Sequence, residues 1–267
     1  MMLPVRPPAV AGLFYPADPR VLADAVDGYL DAGAPLDAAR ADGAQAAPKA
    51  LVVPHAGYVY SGAVAGLGYA TVAPARGRIT RVVLLGPCHR VPVRGLALPG
   101  CRAMRTPLGD VPVEAPEGLD HVVTRPDVHA EEHSLEVQLP FLQRALGEFT
   151  VVPLAVGDAP SHEVAAVLDA LWGGDETLIV VSSDLSHYHR YAEARALDAA
   201  TVEAVLALRW PVRHDQACGA SPLNGLLATA AGHGLRPVLL GACNSGDTAG
   251  DRAQVVGYAS IGFLEGS

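Results

Sequence analysis

The sequence predicts a three-layer αβα domain on a central mixed, largely parallel β-sheet. Two observations carry that expectation. Strongly apolar strand-like runs alternate with amphipathic helix-like runs, the pattern of βα units whose strands are covered on both faces. Three of those strands also run directly into histidine or aspartate, at the rim where open α/β sheets bind ligands. The 267 residues suffice for one large domain with a full core. No internal repeat or break in composition divides them, so a single domain over 1–267 is expected.

In chain order, Asp18 is placed to cap a helix opened by Pro19, with Val21, Leu22, Val26, Tyr29 and Leu30 on one stripe. Residues 31–49 lack periodicity and read as a loop, which puts Lys49 on the surface. The run LVVPHAGYVYSG (51–62) follows. Leu51–Val53 end a buried strand and Pro54, lacking an amide hydrogen, stops its ladder. His55 then sits on a turn that Gly57 permits, and Ser61 is placed to cap a helix continuing through Ala70. RVVLLGPCH (81–89) repeats the arrangement with Cys88 and His89 at the strand end. Gly95–Val113 reads as short strands or a hairpin covering the sheet edge.

The densest polar cluster is HAEEHSLEVQLPFL (129–142). Ser134 is placed to cap a helix limited by Pro140, with Glu131, Glu132 and His133 in the loop before it. A strand over 149–156 and a helix over 161–171 come next. TLIVVSSDLSHYH (177–189) carries a strand into Ser182, Ser183, Asp184 and His187. After a helix from about 192 to 208, Cys218 lies just ahead of a helix that Ser221 caps and Pro222 opens; that helix end favours a thiolate. Strands over 238–240 and 255–263 close the chain.

A net charge of −9 without a basic stripe argues against nucleic acid as a partner. No apolar run reaches the ~18 residues that span a bilayer, and the first residues lack a signal-peptide pattern, so a cytoplasmic location away from membranes is expected. Lys49 is the one lysine, which speaks against Schiff-base chemistry. Cys88, Cys101, Cys218 and Cys243 are widely spaced and read as free thiols, core residues or metal ligands.

Two imidazoles, His55 and His89, with the thiol of Cys218 form an incomplete ligand set that leaves positions open, as catalytic metal sites do. Soft sulfur favours copper, zinc or ferrous iron. His187 then suits an acid/base role, with Asp184 orienting it. The plainer alternatives are a solvated His55, a Cys218 that is a small buried hydrophobe, and an Asp184 that serves a turn. His129–His133 also fits the H-x-x-E-H pattern of zinc peptidases, but that chemistry needs both histidines on one helix, and the helix here is expected to start at Ser134. No G-x-S-x-G elbow or Gly-rich phosphate loop is present.

The ordered set AGLFYP (11–16), PHAGYVYSG (54–62), GPCH (86–89), EEHSLEVQLPFL (131–142), SSDLSHY (182–188) and ACG (217–219) closely resembles the Memo family, whose prokaryotic members are known as AmmeMemoRadiSam system protein B. The resemblance implies a fold similar to class III extradiol dioxygenases of the LigB type, with a metal at the sheet rim. By it, His55, His89 and Cys218 match the metal-binding positions, and Asp184 and His187 match the other site residues. His187 also resembles the acid/base histidine of the dioxygenases. Those enzymes hold ferrous iron with two histidines and a glutamate, whereas Cys218 stands in the third place here. The resemblance further implies a radical-SAM protein and an AMMECR1-type protein as partners, and iron or copper redox chemistry.

Two functions are therefore expected. One is a mononuclear redox enzyme, a dioxygenase-like oxidoreductase with one transition metal ion per chain (iron or copper, with zinc as the alternative), in which Glu132, His133 and Tyr58 support the ligands or touch a small-molecule or peptide substrate, and Tyr58 or Tyr60 lines the cleft. The other is a non-catalytic peptide- or protein-binding module on the same fold.

Overall fold

The computed structural model describes residues 4–34 and 47–266. In chain order its elements begin with β1 (Val5–Arg6), α1 (Pro19–Gly33), β2 (Ala50–Val53), α2 (Tyr58–Ala70), β3 (Arg81–Pro87), β4 (Leu96–Leu98), β5 (Ala103–Thr106), β6 (Gly109–Pro112) and β7 (Val122–Thr124). They continue with α3 (Pro126–Ala130), α4 (Leu139–Leu146), β8 (Thr150–Val156), α5 (Ser161–Leu171), β9 (Thr177–Ser182) and β10 (His187–His189). The last are α6 (Tyr191–Leu206), α7 (Ala220–Gly232), β11 (Arg236–Asn244) and β12 (Val255–Leu264).

The main sheet runs β10-β12-β2-β9-β3-β8-β4-β7, with β11 also paired to β12. Its centre, β2-β9-β3-β8, is parallel. Antiparallel β12 and β4 flank that centre, so the sheet is mixed and largely parallel at its core. A separate sheet, β1-β5-β6, takes in the hairpin of the 95–113 stretch. Alternation along each central strand divides the apolar residues between two faces. Leu51, Val53, Val82, Leu84, Leu178 and Val180 pack with α1, α2 and α4 residues such as Leu22, Val26, Tyr69 and Phe141. Val52, Val83, Leu85, Ile179 and Val181 pack with Val164, Leu168, Val205, Leu226 and Leu227 of α5, α6 and α7. These are the three expected layers, and each fully buried Leu or Val in them contributes roughly 1.5–3 kcal/mol.

Local chemistry explains most element ends. Asp18 Oδ1 accepts from the amides of Arg20 and Val21 at 2.9 and 3.0 Å, and Pro19 opens α1 as expected. Of the expected 31–49 loop, residues 31–33 continue α1 and 35–46 lie outside the described residues. Lys49, expected on the surface, is only 6% exposed. Its amide donates to the Phe263 carbonyl and its Nζ to the carbonyls of Gly174 (2.8 Å) and Thr177 (3.0 Å). Burial lowers its pKa. The Ala-rich composition around it hid that β2 starts one residue later.

Three expected caps are also corrected. α2 starts at Tyr58, so Ser61 lies in its first turn and donates to the Ala56 carbonyl instead. Gly57 turns at φ −55, a conformation open to any residue. Ser134 donates to the Pro87 carbonyl, and the chain passes through a 3₁₀ turn over Glu136–Gln138 before α4, where Pro140 occupies the first turn. α7 begins at Ala220, so Ser221 is helical. Among the described residues no helix is long and apolar enough to cross a membrane.

Candidate metal centre

The carboxyl ends of β2, β3 and β9 lie side by side in the sheet, so the residues that follow them meet at one rim. The loop before α4 crosses the same rim. It is tied down by the buried Arg6, whose guanidinium donates to the carbonyls of His129 (2.8 Å) and Glu132 (2.6 Å) and pairs with Glu136. Glu136 in turn accepts from the amides of Ala9 and Val10 and from the Tyr15 hydroxyl. The N-terminal segment is thereby stapled across the site, and it lays the Phe14 ring against His133 with centroids 4.7 Å apart.

His55, His89 and His133 each offer a ligand atom, and these atoms all lie within 4.8 Å of one another. The rings of His89 and His133 stack at 4.7 Å, and His55 meets both edge-on at 5.2 and 5.5 Å. Burial, with a smaller effect from His89, pushes His55 down to about 3. Burial and the neighbouring His55 push His133 down to about 4. Both rings are neutral at physiological pH, the form that binds metal.

Glu132 organises the other side. Its carboxylate accepts from the amides of His89 (2.5 Å), His133 (2.9 Å) and Ser134 (2.9 Å) and from His89 Nδ1 (2.9 Å). Burial alone would raise its pKa, but the hydrogen bonds and charge of His89, with the backbone donors, hold it at about 2. An ionised carboxylate only accepts, so His89 carries a hydrogen on Nδ1, which turns Nε2 toward the site. That is the carboxylate–histidine arrangement that orients metal ligands. His133 Nδ1 is buried and lies 3.4 Å from Glu132 Oε1, but makes no hydrogen bond among the described residues. A buried ring nitrogen without a hydrogen bond, beside two further imidazoles and a carboxylate, fits a cation better than it fits a closed polar core.

The sequence-derived ligand Cys218 is at the same place. Its Sγ lies 3.2 Å from His55 Nε2, 3.7 Å from the Asp184 carbonyl and 3.9 Å from Ser183 Oγ. The thiolate expected from the helix end does not follow here, because burial and the Asp184 charge push the thiol up to about 12. Asp184 accepts from the His55 amide at 2.7 Å, and burial raises its pKa. It fixes the His55 loop and makes no hydrogen bond to His187. The orienting role expected of Asp184 belongs to the Leu185 carbonyl, 2.9 Å from His187 Nδ1.

These groups floor a cleft of about 1200 Å³. Tyr58, expected to line it, points into the core, where its hydroxyl donates to the Val137 carbonyl at 2.7 Å. Two positions on, the helix turns Tyr60 to the cleft. The peptidase pattern dissolves too, since His129 alone is helical and its Nε2 lies 2.8 Å from the Ala97 carbonyl.

Sequence reasoning missed β10. Its register against β12 slips between His187 and His189, and Tyr188 at φ +62 is 70% exposed. The bulge lets His187, Tyr188 and His189 all line the cleft, which the alternation of a regular strand forbids. Phe14 and Gln138 were visible only as letters inside longer motifs, with no local pattern to mark them.

A family profile described as "Memo-like protein" matches residues 6–262. A MEMO1 family protein of Aquifex aeolicus is 36% identical over 97% of this chain and 99% of its own. One from Methanopyrus kandleri is 35% identical over 98% of this chain and 99% of its own, and one from Methanosarcina acetivorans 36% identical over 96% and 98%. With matches that run nearly end to end and a rim of clustered histidines at the motif positions, the chain belongs to the Memo family.

Proposed function

We propose that the protein is a mononuclear transition-metal redox enzyme whose ion is held by His55, His89 and Cys218, with His133 as an adjoining donor. The single observation that carries this reading is the convergence of three neutral-capable imidazoles within 4.8 Å, with a thiol 3.2 Å from one of them. Metal–ligand bonds of about 2.0–2.3 Å require donors this close together. Imidazole with thiolate suits iron or copper, and zinc also fits. A bound cation would lower the pKa of a coordinating thiol, reversing the effect of burial on Cys218.

When bound, iron or copper supplies one-electron chemistry at the cleft floor. The chain's own residues do the rest. With Nδ1 of His187 committed to the Leu185 carbonyl, its Nε2 is free to take or give a proton at substrate. Glu132 and Asp184 hold the His89 and His55 loops in place, and Phe14 and Tyr60 wall the cleft. We further propose, on family membership, that the protein acts with a radical-SAM protein and an AMMECR1-type protein.

The test is anaerobic purification followed by metal analysis of the wild type, Cys218→Ala and His133→Ala. About one ion per chain, lost in Cys218→Ala and weakened in His133→Ala, supports the reading. Loss in His133→Ala alone would make the three histidines the ligand set. Folded wild type that takes up no iron, copper or zinc yet still binds a partner protein or peptide would instead favour a binding module on this fold.

A further inference from the structure

Glu132 decides which nitrogen of His89 carries hydrogen. His55 poses a harder question, because its Nδ1 lies 2.9 Å from Ser182 Oγ and a hydroxyl both donates and accepts. The other neighbours of that hydroxyl answer it. The Gln138 amide is oriented without reference to Ser182: its Nε2 donates to the Pro54 carbonyl at 2.9 Å and its Oε1 accepts from the Tyr69 hydroxyl at 2.9 Å. Flipped, it would set oxygen against the Pro54 carbonyl. Gln138 Nε2 therefore also donates to Ser182 Oγ, 2.8 Å away. On another side the Ser134 carbonyl, 2.6 Å from Ser182 Oγ, only accepts.

One hydroxyl hydrogen and two lone pairs thus face an obligate acceptor, an obligate donor and His55. All three contacts are satisfied only when His55 Nδ1 donates. Ser182, Gln138 and His55 are buried, and an unmade hydrogen bond there leaves a desolvated polar group without replacement. We infer that Ser182 is a positioning residue that fixes His55 in its Nδ1–H tautomer, with Gln138 and the Ser134 carbonyl setting the direction of its hydroxyl. The bare Nε2 lone pair then faces Cys218 Sγ, 3.2 Å away. The tautomer stands without any metal; its value for metal binding rests on the function proposed above.

The experiment uses full-length, histidine-¹⁵N-labelled protein prepared with chelator. Long-range ¹H–¹⁵N correlation at neutral pH reads each ring nitrogen, and His55 is assigned by the signals lost in His55→Gln. The expected wild-type result is a protonated Nδ1 and a bare Nε2; an Nε2–H ring overturns the inference. In Ser182→Ala the Nε2–H form is expected to grow to a sizeable fraction, and Zn(II) affinity to fall about 10–100-fold. Gln138→Leu, which frees the hydroxyl to swing, is expected to show a smaller share of the same form. Circular dichroism checks that each variant folds. A ring that stays wholly Nδ1–H in every folded variant also overturns the inference, whereas the expected tautomers in a protein that binds no zinc would sink the metal reading alone.

Discussion

Glu132 shows how much one side chain settles at this rim. Both its oxygens serve donors on His89, His133 and Ser134, so Glu132→Gln turns an amide NH₂ toward at least one amide or ring N–H. Metal affinity measured by equilibrium dialysis is expected to fall about 10–100-fold, with a stability loss of about 1–3 kcal/mol in urea unfolding. His129 makes a separate prediction about pH. Burial lowers it from 6.5 to about 4, so the fold holds the neutral ring while the unfolded chain takes up the proton first. Stability from this group is intact above pH 6.5 and declines as pH falls from there to about 4, by about 3 kcal/mol in all. Glu132 acts lower, its contribution being present above 4.5 and lost as pH falls toward about 2. His129→Gln should therefore flatten the fall in the urea midpoint between pH 6.5 and 4. An unchanged slope would show that His129 is not held neutral. At this scale the sequence pointed to His55, His89, Asp184, His187 and Cys218 because each follows a strand or precedes a helix. It left the cleft wall open between Tyr58 and Tyr60, because helix phase depends on a start point that only the structure supplies.

Between elements, close approach and long-range pairing dominate. α1 crosses α2 at Gly66, where an added Cβ would stand 2.5 Å from the Tyr29 carbonyl. Gly66→Ala must move backbone, and a loss of about 1–3 kcal/mol by thermal unfolding is expected; an unchanged midpoint would mean the two helices are free to slide apart. Arg6 and Glu136 hold the N-terminal segment to the loop of Glu132 and His133. Glu136→Gln leaves a buried guanidinium without its counter-ion and is expected to cost about 3–5 kcal/mol, whereas a drop within 0.5 kcal/mol would show that the staple is dispensable. Most strands and helices were legible, since β2, β3, β8 and β9 are apolar runs and α1 carries both its cap and its proline. β10 was not, because a three-residue bulged strand has no period to read. Nor was the Arg6–Glu136 pair, which joins residues 130 positions apart through no local pattern.

For the whole molecule, four parallel strands fix where the candidate site forms. They end at one rim and deliver the turns after β2, β3 and β9 to a shared floor, while antiparallel β12 carries β10 to the edge of the same cleft. The general location of the site was therefore readable from strand-end residues, but the packing of His133 against His89 depends on the stapled loop and was not. The claim that matters most is that His55 and His89 bind one ion together, and X-ray absorption of the full chain loaded with one equivalent of Fe(II) or Cu(II) tests it most directly. Shared coordination gives at least two imidazole nitrogens at about 2.0–2.1 Å, with sulfur at about 2.3 Å where Cys218 joins. A shell of oxygen atoms without the outer scattering of imidazole rings would contradict it.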